Sequence, residues 1–113
     1  MPVFKKKSGE KIVEEFTHCK SFLRKARGLM FSGKKILLFE FKGEKLTPLH
    51  MFFVFFSIDV LFIDKNKIVV EIKKDLRPFS FYFPKNKSKF IIEAPAGIVD
   101  NKKIELGEEL EII

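Results

Sequence analysis

The sequence predicts an α+β domain that is predominantly antiparallel β-sheet, arranged as a barrel or a sandwich, with one short helix. Three observations carry this. Residues 50–63, His-Met-Phe-Phe-Val-Phe-Phe-Ser-Ile-Asp-Val-Leu-Phe-Ile, are almost wholly apolar and are broken by a single acid, Asp59. Six or more short runs of strand-forming residues follow one another, with turn signals about every eight to twelve residues. The chain carries 15 Phe and no Trp in 113 residues. A chain of this length buries roughly 65% of its unfolded surface, so a Phe-built core is attainable without disulfides or metal. One domain spanning residues 1–113 is expected.

The block at 50–63 is too short for a membrane-spanning helix, which needs about 20 apolar residues. Its Phe, Val and Ile favour a pleated surface. Met51, Phe53 and Phe55 alternate with Phe52, Val54 and Phe56, so both faces are apolar and the strand needs cover on both. Beyond Ser57, Asp59 shares a face with Leu61 and Ile63, while Val60 and Phe62 take the other. A carboxylate in such company is costly unless it is paired or hydrogen-bonded.

Taken in order, residues 3–6 and 11–17 flank Ser8-Gly9 and read as a hairpin. A rival pattern overlaps it. Ile12, Phe16, Cys19, Leu23, Ala26 and Met30 follow helical spacing, and on spacing alone one helix runs from about 10 to 28. Ile36 to Phe41 is a strand, followed by a polar loop over 42–48. Asp64-Lys-Asn-Lys67 is a hairpin turn. Ile68, Val70 and Ile72 then alternate with Val69, Glu71 and Lys73 along a half-buried strand. Residues 74–78 form a connector, with Pro78 holding Arg77 extended. Phe79, Phe81 and Phe83 alternate with Ser80 and Tyr82 before a turn at 84–88. Phe90, Ile92 and Ala94 alternate with Ile91 and Glu93. Pro95-Ala-Gly97 ends that strand, 98–106 is irregular, and Gly107 precedes a last strand at 109–113.

The net charge is +7, all of it held by residues 1–35, while the remainder balances at zero and ends in an acidic run. A basic end attracts nucleic acid or anionic surfaces, and Lys also serves solubility on a solvated face. One Cys forbids an internal disulfide and fits a reducing compartment. The first residues lack an apolar signal region. A cytoplasmic protein without a transmembrane segment is therefore expected. The absence of Gln, with much Lys, Glu and Ile, leans towards a thermophilic source.

Phe22-Leu-Arg-Lys-Ala-Arg-Gly-Leu-Met30 and the block from His50-Met51 through Ser57-Ile-Asp-Val-Leu-Phe-Ile-Asp64 resemble two blocks of the DUF192 (UPF0127) family. These are an Arg-x-x-Gly-Leu-Met block and a Trp-Met block running on to Pro-Leu-Asp. Glu93-Ala-Pro-Ala-Gly97 and Leu106-Gly-Glu108 resemble the family's closing glycine blocks. The likeness covers roughly residues 19–113. His50 stands where many relatives have Trp, Phe52 and Phe53 replace a Lys-Asn pair, and Ser57 replaces Pro. The resemblance implies a compact β-rich α+β domain and no enzyme activity. It also implies a strand near 10–18 and a short helix near 21–28, which we adopt over the helical spacing.

Asp59 is read either as a functional acid or as a structural one. The structural reading has it accept backbone hydrogen bonds or pair with Arg24 or Arg27, since a desolvated carboxylate suits a bidentate partner. His18, Cys19 and His50 lack the spacing of a zinc site, so no metal or cofactor is expected. His50 reads as a core or rim histidine. No nucleophile elbow or phosphate-binding glycine loop is present. Phe79, Phe81, Tyr82 and Phe83 beside Lys85, Lys87 and Lys89 fit sheet core better than a base-stacking platform.

These readings favour a non-catalytic binding or accessory module, with a protein partner conceivable but unidentified. The first alternative is nucleic-acid or anionic-surface binding through the basic N-terminal third. The second is an enzyme with a site near Asp59, Arg24 and His50.

Overall fold

A computed structural model of the chain describes residues 3–13, 17–19, 36–51 and 56–112. The elements are β1 (Val3–Lys5), β2 (Lys11–Val13), β3 (Thr17–Cys19), β4 (Leu37–Lys45), β5 (Leu49–His50), β6 (Ile58–Ile63), β7 (Val69–Leu76), β8 (Phe81–Tyr82), β9 (Ser88–Pro95), α1 (Ile98–Asn101) and β10 (Leu110–Ile112). The main sheet has the order β3-β4-β9-β6-β7. Only its β3–β4 pair is parallel; the β4–β9, β9–β6 and β6–β7 pairs are antiparallel. A second sheet runs β10-β1-β2, and β5 pairs with β8 in a separate two-stranded ribbon. Among the described residues the sheets do not close on themselves, which fits the sandwich alternative rather than the barrel.

Strand β6 is interior, with neighbours on both sides and all six residues buried. Its alternation feeds two cores. Leu61 and Ile63 pack with Leu38, Ile92, Val3, Leu110 and Val99, so the three-stranded sheet and α1 cover one face. Ile58, Val60 and Phe62 pack with Leu37, Ile91, Leu49 and Met51, which covers the other face. The expected double-sided burial is therefore present at 58–63. In the first half of the block, His50 belongs to the ribbon rather than to the main sheet, and residues 52–55 lie outside the described residues.

The turn after β6 is built as its sequence implies. Asp64 Oδ1 accepts the N–H groups of Asn66 at 2.9 Å and Ile68 at 3.0 Å, and Lys67 takes the left-handed conformation that closes the turn. Strand β7 departs from simple alternation. Phe62 pairs with Glu71 and Ile63 with Val69, so Val70 is an extra residue. A bulge sets two successive side chains on nearly the same side. Hence Val70 packs against the Phe62 core while Ile72 packs against the Leu61 core, and the expected shared face of Ile68, Val70 and Ile72 is not formed.

Other boundaries also move. The hairpin around Gly9 forms, and residues 11–13 and 17–19 are strands rather than part of a helix from 10 to 28. The helix expected near 21–28 lies outside the described residues. The helix that is described falls at 98–101, in the segment expected to be irregular. Strand β4 continues through the expected loop to Lys45, and β7 continues through the expected connector to Leu76.

The charge asymmetry is partly consumed inside the fold. Antiparallel pairing of β1 with β10 brings the basic start of the chain to its acidic end. Lys5 is buried. Its Nζ donates to the carbonyl of Lys103 at 2.8 Å and lies 3.4 Å from Glu108 and 3.7 Å from Glu10. Lys6 meets Glu109 at 2.9 Å. No helix among the described residues is long and apolar enough to cross a membrane.

Candidate functional site

Asp59 is 2% exposed, and both its oxygens are engaged by backbone donors. Oδ1 accepts the N–H of Asp75 at 2.9 Å, and Oδ2 accepts the N–H groups of Gly97 and Val99 at 3.0 Å each. The chain supplies these donors for a local reason. Ile58 pairs with Leu76 and Val60 with Lys73, so β7 carries an extra residue opposite Asp59. Asp75 takes φ of 54° there, and its N–H turns out of the ladder towards the carboxylate. On the other side, the start of α1 presents N–H groups that have no partner within the helix. Asp59 thus ties β6, β7 and α1 together, as its backbone-pinning reading expects. Arg24 and Arg27 lie outside the described residues. The backbone of His50 pairs with Phe81 in the β5–β8 ribbon, away from the strand that carries Asp59.

The ribbon overturns the expectation for the Phe run. Phe79, Phe81 and Phe83 are 54%, 56% and 69% exposed, so they are surface residues and not sheet core. The rings of Phe81 and Phe83 stand side by side, with centroids 6.4 Å apart and planes 12° from parallel. Alternation failed as a guide because, among the described residues, β8 pairs through two residues with β5 alone. Tyr82, pointing the opposite way, packs against Phe62 with ring centroids 5.7 Å apart.

Residues 77–80 form a reverse turn with Pro78 in its second position, closed by the Ser80 N–H on the Arg77 carbonyl. Phe79 occupies the third position at φ of 60°, where turns of positive φ usually place glycine. A bulky side chain there is strained. The turn is clipped to Met51, whose N–H donates to the Ser80 carbonyl and whose carbonyl accepts the Phe79 N–H.

A buried acid anchors the other end of the ribbon. Glu71 accepts the Tyr82 hydroxyl, the N–H groups of Lys85 and Asn86 at 2.9 Å each, and Asn86 Nδ2 at 3.0 Å. Burial pushes the Glu71 carboxyl up. The bonds from Tyr82, Asn86 and Lys85 together outweigh it and hold the group below its ordinary value. Burial, then the bond to Glu71 and its charge, push the Tyr82 hydroxyl up to about 12. The aromatic run is therefore held at both ends while its Phe rings face water.

Cations surround it. Residues 76–92 contain Arg77, Lys85, Lys87 and Lys89 and no acid. Lys45 is in register with Ser88, next to Lys87. Lys73 Nζ lies 5.8 Å from the Tyr82 ring centroid. Lys89 is occupied by Glu40 at 3.0 Å, and Arg77 lies 3.9 Å from Asp75. Lys85 and Lys87 are exposed and have no ion-pair partner among the described residues.

A second buried acid has no such partners among the described residues. Glu93 is 8% exposed at the middle of β9, paired across to Leu37 on β4 and Val60 on β6. Burial alone pushes its carboxyl up to about 7. Composition did not single out this residue, because Glu93 alternates with Ile92 and Ala94 like a solvent-facing polar position.

Comparison with known proteins bears on the fold and the family. A UPF0127 protein of Pyrococcus furiosus is 35% identical over 106 residues, covering 91% of this chain and 90% of the relative. A UPF0127 protein of Thermococcus sibiricus is 39% identical over 95 residues, and there the alignment spans 61% of the relative's length. Among solved structures, a Novosphingobium aromaticivorans protein of unknown function superposes with a TM-score of 0.84 at 17% identity, over 99% of this chain and 84% of that one. A Sinorhizobium meliloti protein described provisionally as a transcription regulator gives 0.83 at 20% identity, over 97% and 89%. Both share the fold. The model of DUF192, a family described as uncharacterized, matches residues 3–112, and the chain belongs to that family.

Proposed function

We propose that this is a non-catalytic, cytoplasmic binding module whose docking face is the aromatic ribbon at residues 79–83. One observation supports the reading: three Phe side chains are more than half exposed on a ribbon anchored by Glu71 and Met51. Isolated exposed apolar residues need no explanation, but a contiguous apolar patch with a polar rim marks an interaction surface. Placing Phe79 at positive φ adds backbone strain to that exposure, and strain of this kind gathers at functional segments. An enzyme at Asp59 is disfavoured because backbone donors already engage both carboxylate oxygens.

The test uses anilinonaphthalene sulfonate, which pairs an apolar ring system with an anionic group. The folded protein should bind the dye saturably. The double variant Phe81→Ser, Phe83→Ser should lose that binding while its unfolding free energy changes by less than about 1 kcal/mol, as for other surface substitutions. Unchanged dye binding in the variant removes the docking face. A loss of several kcal/mol instead makes the run structural.

A further inference from the structure

We infer that the occupant of this face is single-stranded nucleic acid. The inference rests on the docking reading above and goes further by naming the ligand's chemistry. Charge complementarity selects it. Lys85 and Lys87 follow Phe83 after Pro84, and Lys45 is brought beside them by its register with Ser88. Four acids belong to this neighbourhood, and two of them, Glu40 and Asp75, sit against Lys89 and Arg77. Glu71 is turned inward and satisfied by its four donors, and Glu44 accepts the N–H of Lys65 at 3.0 Å. Lys85 and Lys87, without an ion-pair partner among the described residues, therefore present positive charge next to exposed flat rings.

A protein partner built on apolar contact would not need that rim, and a bare polyanion would not need the rings. A single strand uses both, because its bases stack on aromatic side chains while lysines follow its phosphates. Phe83 offers the most exposed ring, and Phe81 lies nearly parallel to it. Duplex nucleic acid is disfavoured because its bases are already stacked on one another. The site also differs from the basic N-terminal third, where Lys5 and Lys6 are engaged by Glu10, Glu108 and Glu109.

The experiment is fluorescence anisotropy of a labelled oligothymidylate, titrated with the intact chain across a series of salt concentrations. Inorganic polyphosphate and a blunt duplex serve as competitors. Phe83→Ala should weaken binding about 10- to 100-fold, the range for removing one stacking partner. Lys85→Ala combined with Lys87→Ala should lower the salt slope by about 1.4, or about 0.7 per lost phosphate contact. Polyphosphate should compete poorly.

Absence of binding at low salt overturns the inference. So does binding that Phe83→Ala leaves unchanged, or that polyphosphate displaces as well as the oligonucleotide does. If the dye still binds at the ridge in those cases, the docking face stands and the ligand class falls. If the dye does not bind either, both readings fall together. Thermal melts of each variant confirm the fold, and Lys85→Glu supplies a surface variant that abolishes binding without touching the rings.

Discussion

Replacing Glu93 with Gln should make the protein more stable at pH 8 than the parent, and the gain should vanish near pH 4.5. Glu93 lies on the same face of β9 as Ile91, between Leu37 and Val60, so its nearest cross-strand neighbours are apolar. The next residue across the sheet on that row is Lys73, on β7 beyond Val60 and roughly 10 Å away at about 4.8 Å per strand. Burial lifts the carboxyl from 4.5 to about 7, which corresponds to about 3 kcal/mol at 1.36 kcal/mol per tenfold change in proton affinity. The sign follows from proton binding. Between those two values the folded chain holds a proton that the unfolded chain has released. Stability from Glu93 is thus full below about 4.5, declines as pH rises, and is gone above about 7. Gln cannot ionise and keeps the size, so its stability has no such decline. Urea unfolding of both proteins from pH 4.5 to 8 measures this directly, and subtracting the two curves cancels every other titrating group. The difference should grow by about 3 kcal/mol across the range, or about 10 °C in melting temperature for a chain of this size. Parallel curves would show that Glu93 ionises normally in the fold, and the argument from its apolar surroundings would be wrong.

Three further outcomes follow from the same geometry. Asp59→Ala strands the buried N–H of Val99 and the part-buried N–H groups of Asp75 and Gly97 and should cost about 3 kcal/mol in denaturant unfolding, with Asp59→Asn losing less; faster amide exchange at those three residues is the local signature. Tyr82 is the sole tyrosine, so its phenolate absorbance should titrate with a midpoint of about 12 rather than 10, and Glu71→Gln should bring it down towards the ordinary value. Phe79→Gly should relieve the positive-φ strain and raise stability by up to about 1 kcal/mol while weakening dye and oligonucleotide binding; a destabilised variant with unchanged binding would assign the ring a packing role.

What could be read from the residues divides along physical lines. Double-sided burial of β6 was legible because every residue from Ile58 to Ile63 except Asp59 is apolar. The turn at Asp64 was legible because a carboxylate two residues before an N–H is a local device. The two bulges in β7 were not, since nothing in Val69-Val-Glu-Ile-Lys-Lys-Asp-Leu76 marks where an extra residue sits. Those bulges decide that Val70 and Ile72 face opposite cores and that Asp75 meets Asp59. The Phe run misled for the converse reason. Alternation reports that one side of a strand is apolar, but not whether another layer covers that side. Glu71 and Glu93 look alike in sequence, each alternating with apolar neighbours. Their opposite proton affinities arise from the donors brought to Glu71 by the 82–86 turn and, for Glu93, from burial with no such donor among the described residues.

The contrast between the two ends of β7 bears on function. At its Asp75 end, a left-handed residue is repaid by a buried hydrogen bond to Asp59, so the strain has a structural reason. A few residues on, the left-handed Phe79 places an apolar ring half in water, and its backbone bond to Met51 would form as well with glycine. Backbone geometry favours glycine there, because no Cβ then crowds the chain at positive φ. A chain that keeps Phe79, Phe81 and Phe83 more than half exposed, and anchors their ribbon with four donors on Glu71, has invested order in a surface. That investment makes sense when something outside the chain covers the rings.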